Sequence, residues 1–335
     1  MRIHTAVLGA LVALATAQAA PAPVLLEPLA GRQVLPVSNW WNQDVSAAPV
    51  DARSPQLIDW ISGRSATNTT AVRRLHPDFG PPPYGIPYVV VAGTQPRVPV
   101  TFGYDEESDV GAPGLPGYPI PDEARTTANY IEGGQPGGGS SGDRHLLVID
   151  RDRWILYETF ATQWNGTAGR WDAGSGAVFD LASNARRPEG WTSADAAGLA
   201  IFPGLVRYDE VAGSAEIAHA FRVTTRATDG YVWPASHRAG STSGAPPLGA
   251  RLRLKASKNI STFTPEVQRI FRAMQRYGLI VADNGSDLYV TGTYDTHWDN
   301  DLLNPAFGAL KASDFEVVQL GWQPAEGGRR RSVRH

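Results

Sequence analysis

The chain contains no cysteine. Disulfides and thiolate metal sites are therefore both excluded, and stability must come from an ordinary apolar core. Zinc-protease, phosphate-loop and dinucleotide signatures are missing as well, so no cofactor and no metal is expected. After the first residues, no apolar run is long enough to span a bilayer, which needs about 20 residues. A basic face is lacking too. The net charge is −3, and Arg2 with Arg329, Arg330, Arg331 and Arg334 at the two ends hides a more acidic body. Nucleic acid is a poor partner for such a surface.

The N-terminus carries an export pattern. Arg2 and His4 precede the apolar stretch 6–17, and Ala17-Gln18-Ala19 is an A-x-A cleavage site. This reads as a secretory signal over 1–19, so the protein is expected to be secreted, extracellular or periplasmic. The remainder reads as one β-rich domain over 20–326 with a basic, disordered tail at 327–335.

Short β-branched runs bounded by glycine and proline dominate that domain. Strands are expected over 86–91, 98–102, 145–149, 154–160, 216–224, 231–233, 251–255, 279–282, 288–293 and 315–320. Asn284-Gly285 suggests a hairpin between the 279–282 and 288–293 strands. Residues 55–61 suggest a short helix. One amphipathic helix is clear over 264–278: Thr264 caps it, Pro265 starts it, and Gly278 closes it. Its Val267, Ile270, Phe271, Met274 and Tyr277 recur at helical spacing, which marks a core face. Residues 103–142 are rich in glycine and proline and lack a period, so they read as a long surface loop. The fold class is mainly β, a β-sandwich or jelly roll with long surface loops.

Two carboxylates and a histidine are the catalytic candidates. If Arg151 and Asp152 form a two-residue turn, His145 lies opposite Glu158 and can tune its acidity. Asp195 stands among small residues in Trp191-Thr192-Ser193-Ala194-Asp195, where a carboxylate needs either a capping role or a function. Glu158 and Asp195 are thus the pair expected to flank a sugar. Trp191, Arg207, His219, Arg222, Trp233, His237 and Asp283 are the substrate-binding candidates. His219 and Arg222 fall on opposite faces of one strand. Trp233 offers a stacking platform, and His237 follows it into a Gly/Ser loop. Asp295, His297, Asp299 and Asp301 alternate like a calcium loop, but lack its glycine and its final glutamate. Gly138 to Gly142 matches G-x-S-x-G, but it enters a strand and not a helix.

The segments Gly190 to Leu199, Pro203 to Val211, Tyr231 to His237 and Tyr277 to Ser286, with Trp41-Asn42, resemble a group of exported bacterial proteins frequent in actinobacteria and soil bacteria. The resemblance covers nearly all of the mature chain. It implies export, a single architecture and a leaning toward polysaccharide work, and it brings no active site with it. The expected activity is glycoside hydrolysis of an extracellular polysaccharide or oligosaccharide by carboxylate acid/base chemistry. A polysaccharide lyase is the first alternative, with His219 or His237 taking a proton and Arg222 or Arg207 neutralising a uronate. A non-catalytic glycan-binding or cell-surface protein is the second.

Overall fold

Unbroken apolar runs build the first sheet. In the computed structural model, which describes residues 21–29 and 31–324, Tyr88–Val91 pairs in parallel with Leu146–Asp150. Ile155–Phe160 lies antiparallel beside the latter. Ser175–Asp180 and Val24–Leu25 complete five strands. The expected signal at 1–19 and tail at 327–335 lie outside the described residues.

Alternate residues of these strands enter different cores. Tyr88, Val90, Leu147, Ile149 and Leu156 join one apolar cluster. Val89, Val91, Leu146, Val148 and Tyr157 join another. Side chains alternate across a sheet, so a continuous apolar run means that both faces are covered. The second cover is the 103–142 segment, which supplies Ala112, Tyr118, Ile120, Ala124, Tyr130 and Ile131. The expectation of a surface loop there is corrected. Glycines with positive φ turn the segment back on the sheet at 111, 114, 117, 133, 134 and 137–139. The apolar residues between those turns do the packing.

The larger sheet has six strands in the order Phe315–Val317, Arg251–Leu254, Leu279–Asn284, Phe221–Thr225, Tyr289–Tyr294 and His76–Gly80. The expected hairpin at Asn284-Gly285 is not formed. Phe221–Thr225 lies between its two arms, parallel to one and antiparallel to the other. The turn bonds to that central strand instead: Gly285 N–H donates to the Thr225 carbonyl and Leu288 N–H to the Thr224 carbonyl. The expected 231–233 strand is reduced to a single bridge from Tyr231 to Leu248.

A parallel pair needs a long crossover. The connection from 221–225 to 279–284 contains Arg251–Leu254 and the helix Pro265–Arg276. That helix buries Val267, Ile270, Phe271 and Met274 as its spacing requires. Gly278 follows at φ +79°, where an added Cβ would meet the Leu252 carbonyl oxygen at 2.6 Å. Ser54–Ile61 forms the expected short helix. Asn300–Gly308 is a further helix, capped by Asp299, whose side chain accepts from Asp301 N–H and Leu302 N–H. Capping accounts for part of the acidic alternation at 295–301. The fold is mainly β, since strand residues outnumber helical ones. Among the described residues no helix is long and apolar enough to cross a membrane.

Candidate functional site

Arg222 stands at the centre of the six-stranded sheet. Phe221 and Val223 point into the core, which turns the guanidinium to the other face. Its Nε and Nη2 donate to Asp195 Oδ2 and Oδ1, each at 2.8 Å. Nη1 donates to Thr291 Oγ1 at 2.7 Å, and Nη2 also to Asp283 Oδ2 at 3.1 Å. Thr291 and Asp283 come from the two flanking strands. Asp283 reaches this face because the pairing skips Ala282: Val223 faces Val281, and Thr224 faces Asp283. A β-bulge re-aims the side chains beyond it in this way.

Asp195 is held by a tightly bonded segment. Its N–H donates to Ser193 Oγ at 2.9 Å, and Ser193 Oγ donates to the Leu199 carbonyl at 2.6 Å. Ala197 N–H donates to the carbonyl of the bulged Ala282 at 2.9 Å. Gly198 lies at φ +71°, and a Cβ there would meet Ser236 Oγ at 2.1 Å, so only glycine fits. Farther along, Ile201 N–H and Phe202 N–H both donate to the Glu158 carboxylate, at 2.8–3.0 Å.

His145 clips the same segment. Its Nε2 lies 3.1 Å from the Ala194 carbonyl and its Nδ1 lies 2.6 Å from Glu132 Oε2. Two acceptors on one ring suit the imidazolium, which donates at both nitrogens. Burial acts to lower its pKa, but the Glu132 charge and hydrogen bond overcome this and raise it to about 9.

His145 and Glu158 are not cross-strand partners. Leu147 faces Glu158 and Leu146 faces Thr159, because the connection is the four residues 151–154 rather than two. Trp154 closes it at φ +57°. Glu158 and Asp195 are both sealed, at 0 % and 1 % exposure. Their oxygens are taken by backbone N–H groups and by Arg222. They are brought near each other, but as anchors of one segment, and they do not flank an open trough. Burial raises the Glu158 carboxyl to about 7 against the two backbone bonds, with Asp195 adding to the rise.

Two carboxyls of this cluster are partly exposed. Asp283 is 24 % exposed and Glu132 is 26 % exposed. Burial and then the Asp195 charge raise Asp283 to about 6, against Arg222. Burial also acts to raise Glu132, but the His145 charge, the hydrogen bonds from His145 and the more distant Arg222 charge hold it below the usual glutamate value. Asp78, on the edge strand opposite Thr291, is raised by burial and by Glu132 and Asp143, against Arg222. His237 contacts the Asp195 segment: its Nδ1 lies 2.8 Å from the Ala196 carbonyl, and its Nε2 lies 3.9 Å from Glu107 Oε2.

No family model matches the chain, and no curated protein or solved structure matches it.

The remaining candidates lie elsewhere or serve packing. Trp191 is partly buried, with the Arg187 guanidinium 5.2 Å from its ring centre. Trp233 is partly buried and meets Trp40 edge to face at 6.3 Å against the main core. Arg207 and His219 meet at Glu210, away from Arg222. Arg207 Nη2 donates to Glu210 Oε1, and His219 Nε2 lies 3.0 Å from Glu210 Oε2. Sequence reading missed Glu132, Asp78, Asp143, Glu210 and Thr291. Glu132 lies in the stretch taken for a loop, where the only signal was a charge beside buried Ile131.

Proposed function

We propose that the chain is an exported glycoside hydrolase whose open carboxyls are Asp283 and Glu132. The single observation that carries this reading is their different surroundings: Asp283 shares the Arg222 guanidinium with Asp195, while Glu132 is bonded to the His145 ring. Asp283 is raised to about 6, while Glu132 is held below its usual value. Glycoside hydrolysis needs one carboxyl that keeps its proton and one that has lost it. Carboxyls whose surroundings push their pKa values apart divide those two roles. Asp283 protonates the departing glycosidic oxygen in this reading. Glu132 acts as base or nucleophile, and His145 keeps it ionised and oriented. Asp195 and Thr291 are positioning residues, because they act through Arg222. The acidic body and the Tyr- and Trp-rich composition favour a neutral extracellular polysaccharide.

The lyase alternative requires a cationic floor for a uronate. Here, even with Asp283 protonated, Asp78, Glu132, Asp143 and Asp195 outnumber Arg222 and His145 as neighbouring charges, which repels a polyanion. The test is release of reducing ends across a panel of neutral and acidic polysaccharides. The expected result is release from a neutral glycan, lowered about 100-fold or more in Asp283→Asn. Products that absorb in the ultraviolet would favour the lyase. Binding without release from any glycan would favour the non-catalytic protein.

A further inference from the structure

The sheet face that carries Arg222 continues to the edge strand His76–Gly80. Phe221, Val223, Val290 and Phe79 fill the main core. Side chains alternate, so Thr224, Tyr289, Thr291, His76 and Asp78 stand on the Arg222 face. The register sets them in rows. Asp283 faces Thr224, Thr224 faces Tyr289, and Tyr289 faces His76. In the adjoining row Thr291 faces Asp78. Tyr289 therefore lies two strands from Asp283, a spacing of about 10 Å.

Tyr289 and His76 form the flat part of this surface. Their ring centres lie 4.7 Å apart with 27° between the planes, a stacked pair. The stack takes up one face of each ring. His76 is exposed and has no strand beyond it, and Tyr289 is partly exposed. Several tryptophans differ, because an arginine lies over the ring: Arg226 over Trp60, Arg32 over Trp154 and Arg187 over Trp191. Asp78, two residues beyond His76, is partly exposed as well. Its carboxyl accepts no hydrogen bond among the described residues, and the charges that reach it are those of Arg222, Glu132 and Asp143. The stack thus adjoins the proposed catalytic carboxyls. An aromatic stack beside an unbonded carboxylate fits a sugar ring, whose C–H face packs on the aromatic and whose hydroxyls donate to the carboxylate. The surrounding carboxylates repel a flat ligand that carries phosphate.

We propose that His76, Tyr289 and Asp78 form a sugar-binding subsite of the hydrolase, which holds a neutral ring of the substrate away from the bond that Asp283 protonates. Its place in the hydrolase rests on the function proposed above, whereas the stacking of a sugar there does not. The full chain carrying Asp283→Asn, isotopically labelled, is titrated with cellohexaose, mannohexaose, xylohexaose and maltohexaose and followed by NMR. The substitution keeps the sugars intact under the hydrolase reading. The expected result is that one or more of these sugars shifts the ring signals of both His76 and Tyr289. Its affinity falls about five-fold or more when His76→Ala, Tyr289→Ala or Asp78→Ala is added, with folding of each variant checked by melting. Tyr289→Phe keeps the affinity, because the ring face remains. No shift at the two rings with any of these sugars, or binding that His76→Ala leaves intact, overturns the proposal. Failure of the hydrolase reading appears separately, as absent release of reducing ends by a wild-type chain whose two rings still respond to the sugar.

Discussion

Arg222 and Arg207 are both buried beside carboxylates, with a histidine nearby, but they are bonded very differently. Arg222 takes its partners from a distant segment and from two adjacent strands, and each of its side-chain nitrogens has one. Arg207 relies on Asp209 and Glu210 in the turn that follows it: its Nε makes only a 3.5 Å ion-pair contact with Asp209 Oδ1, and its Nη1 has no partner among the described residues. A saturated guanidinium fixes its surroundings and leaves the chemistry to whichever carboxyls stay open beside it. An unsaturated one keeps capacity for a ligand. Preorganisation on rigid strands is why the proposed hydrolase site is placed at the first.

The comparison breaks most visibly on substitution of the arginines. Arg222→Met strands Asp195 as a sealed charge and should cost about 3–5 kcal/mol in urea unfolding. Arg207→Met should cost about 1 kcal/mol, because Asp209 and Glu210 are partly exposed and screened by solvent. Equal losses would erase the distinction.

Next in size, Glu158→Ala leaves the Ile201 and Phe202 N–H groups without acceptors, at about 1–3 kcal/mol. Its pH dependence has a definite sign. A carboxyl raised on folding binds more protons in the native state, so its contribution to stability falls as pH rises from about 4.5 through 7. Glu158→Gln should remove that fall from a series of melting curves. His145 adds a higher window. Its pKa is raised on folding, so its stabilisation is full below about 6.5 and is lost as pH rises through 9. Melting of the wild-type chain should drop more steeply between pH 7 and 10 than melting of His145→Gln. The smallest effect expected is from Asp209→Asn, below about 0.5 kcal/mol, because one of its oxygens already lacks a hydrogen bond.

Local rules made the helix legible. Thr264, Pro265 and Gly278 bracket it, and its apolar spacing can be satisfied in only one way. The runs Tyr88–Val91 and Leu146–Ile149 also carried a message, since four apolar residues in a row require a cover on each face. The cover was not legible, because Tyr118, Ile120, Tyr130 and Ile131 lie between the glycine turns at 117 and 133 and keep no period. Asp195, Arg222 and Asp283 could each be chosen from local composition. Their meeting could not be read, since it depends on the strand order and on the bulge at Ala282. Glu158 was chosen as a strand carboxylate, but a two-residue change in turn length moved it away from His145, and backbone N–H groups occupy it. His219 and Arg207 were likewise sound as polar candidates, yet they belong to the other arginine.

The direct test is to follow the carboxyl carbons of Asp283 and Glu132 by NMR from pH 3 to 9 in isotopically labelled protein. Asp283 should titrate near 6 while Glu132 titrates below the usual glutamate value, and His145→Gln, which removes the charge and hydrogen bonds that hold Glu132 down, should bring the two closer together. If both titrate together in the ordinary carboxylate range, the division into acid and base is wrong.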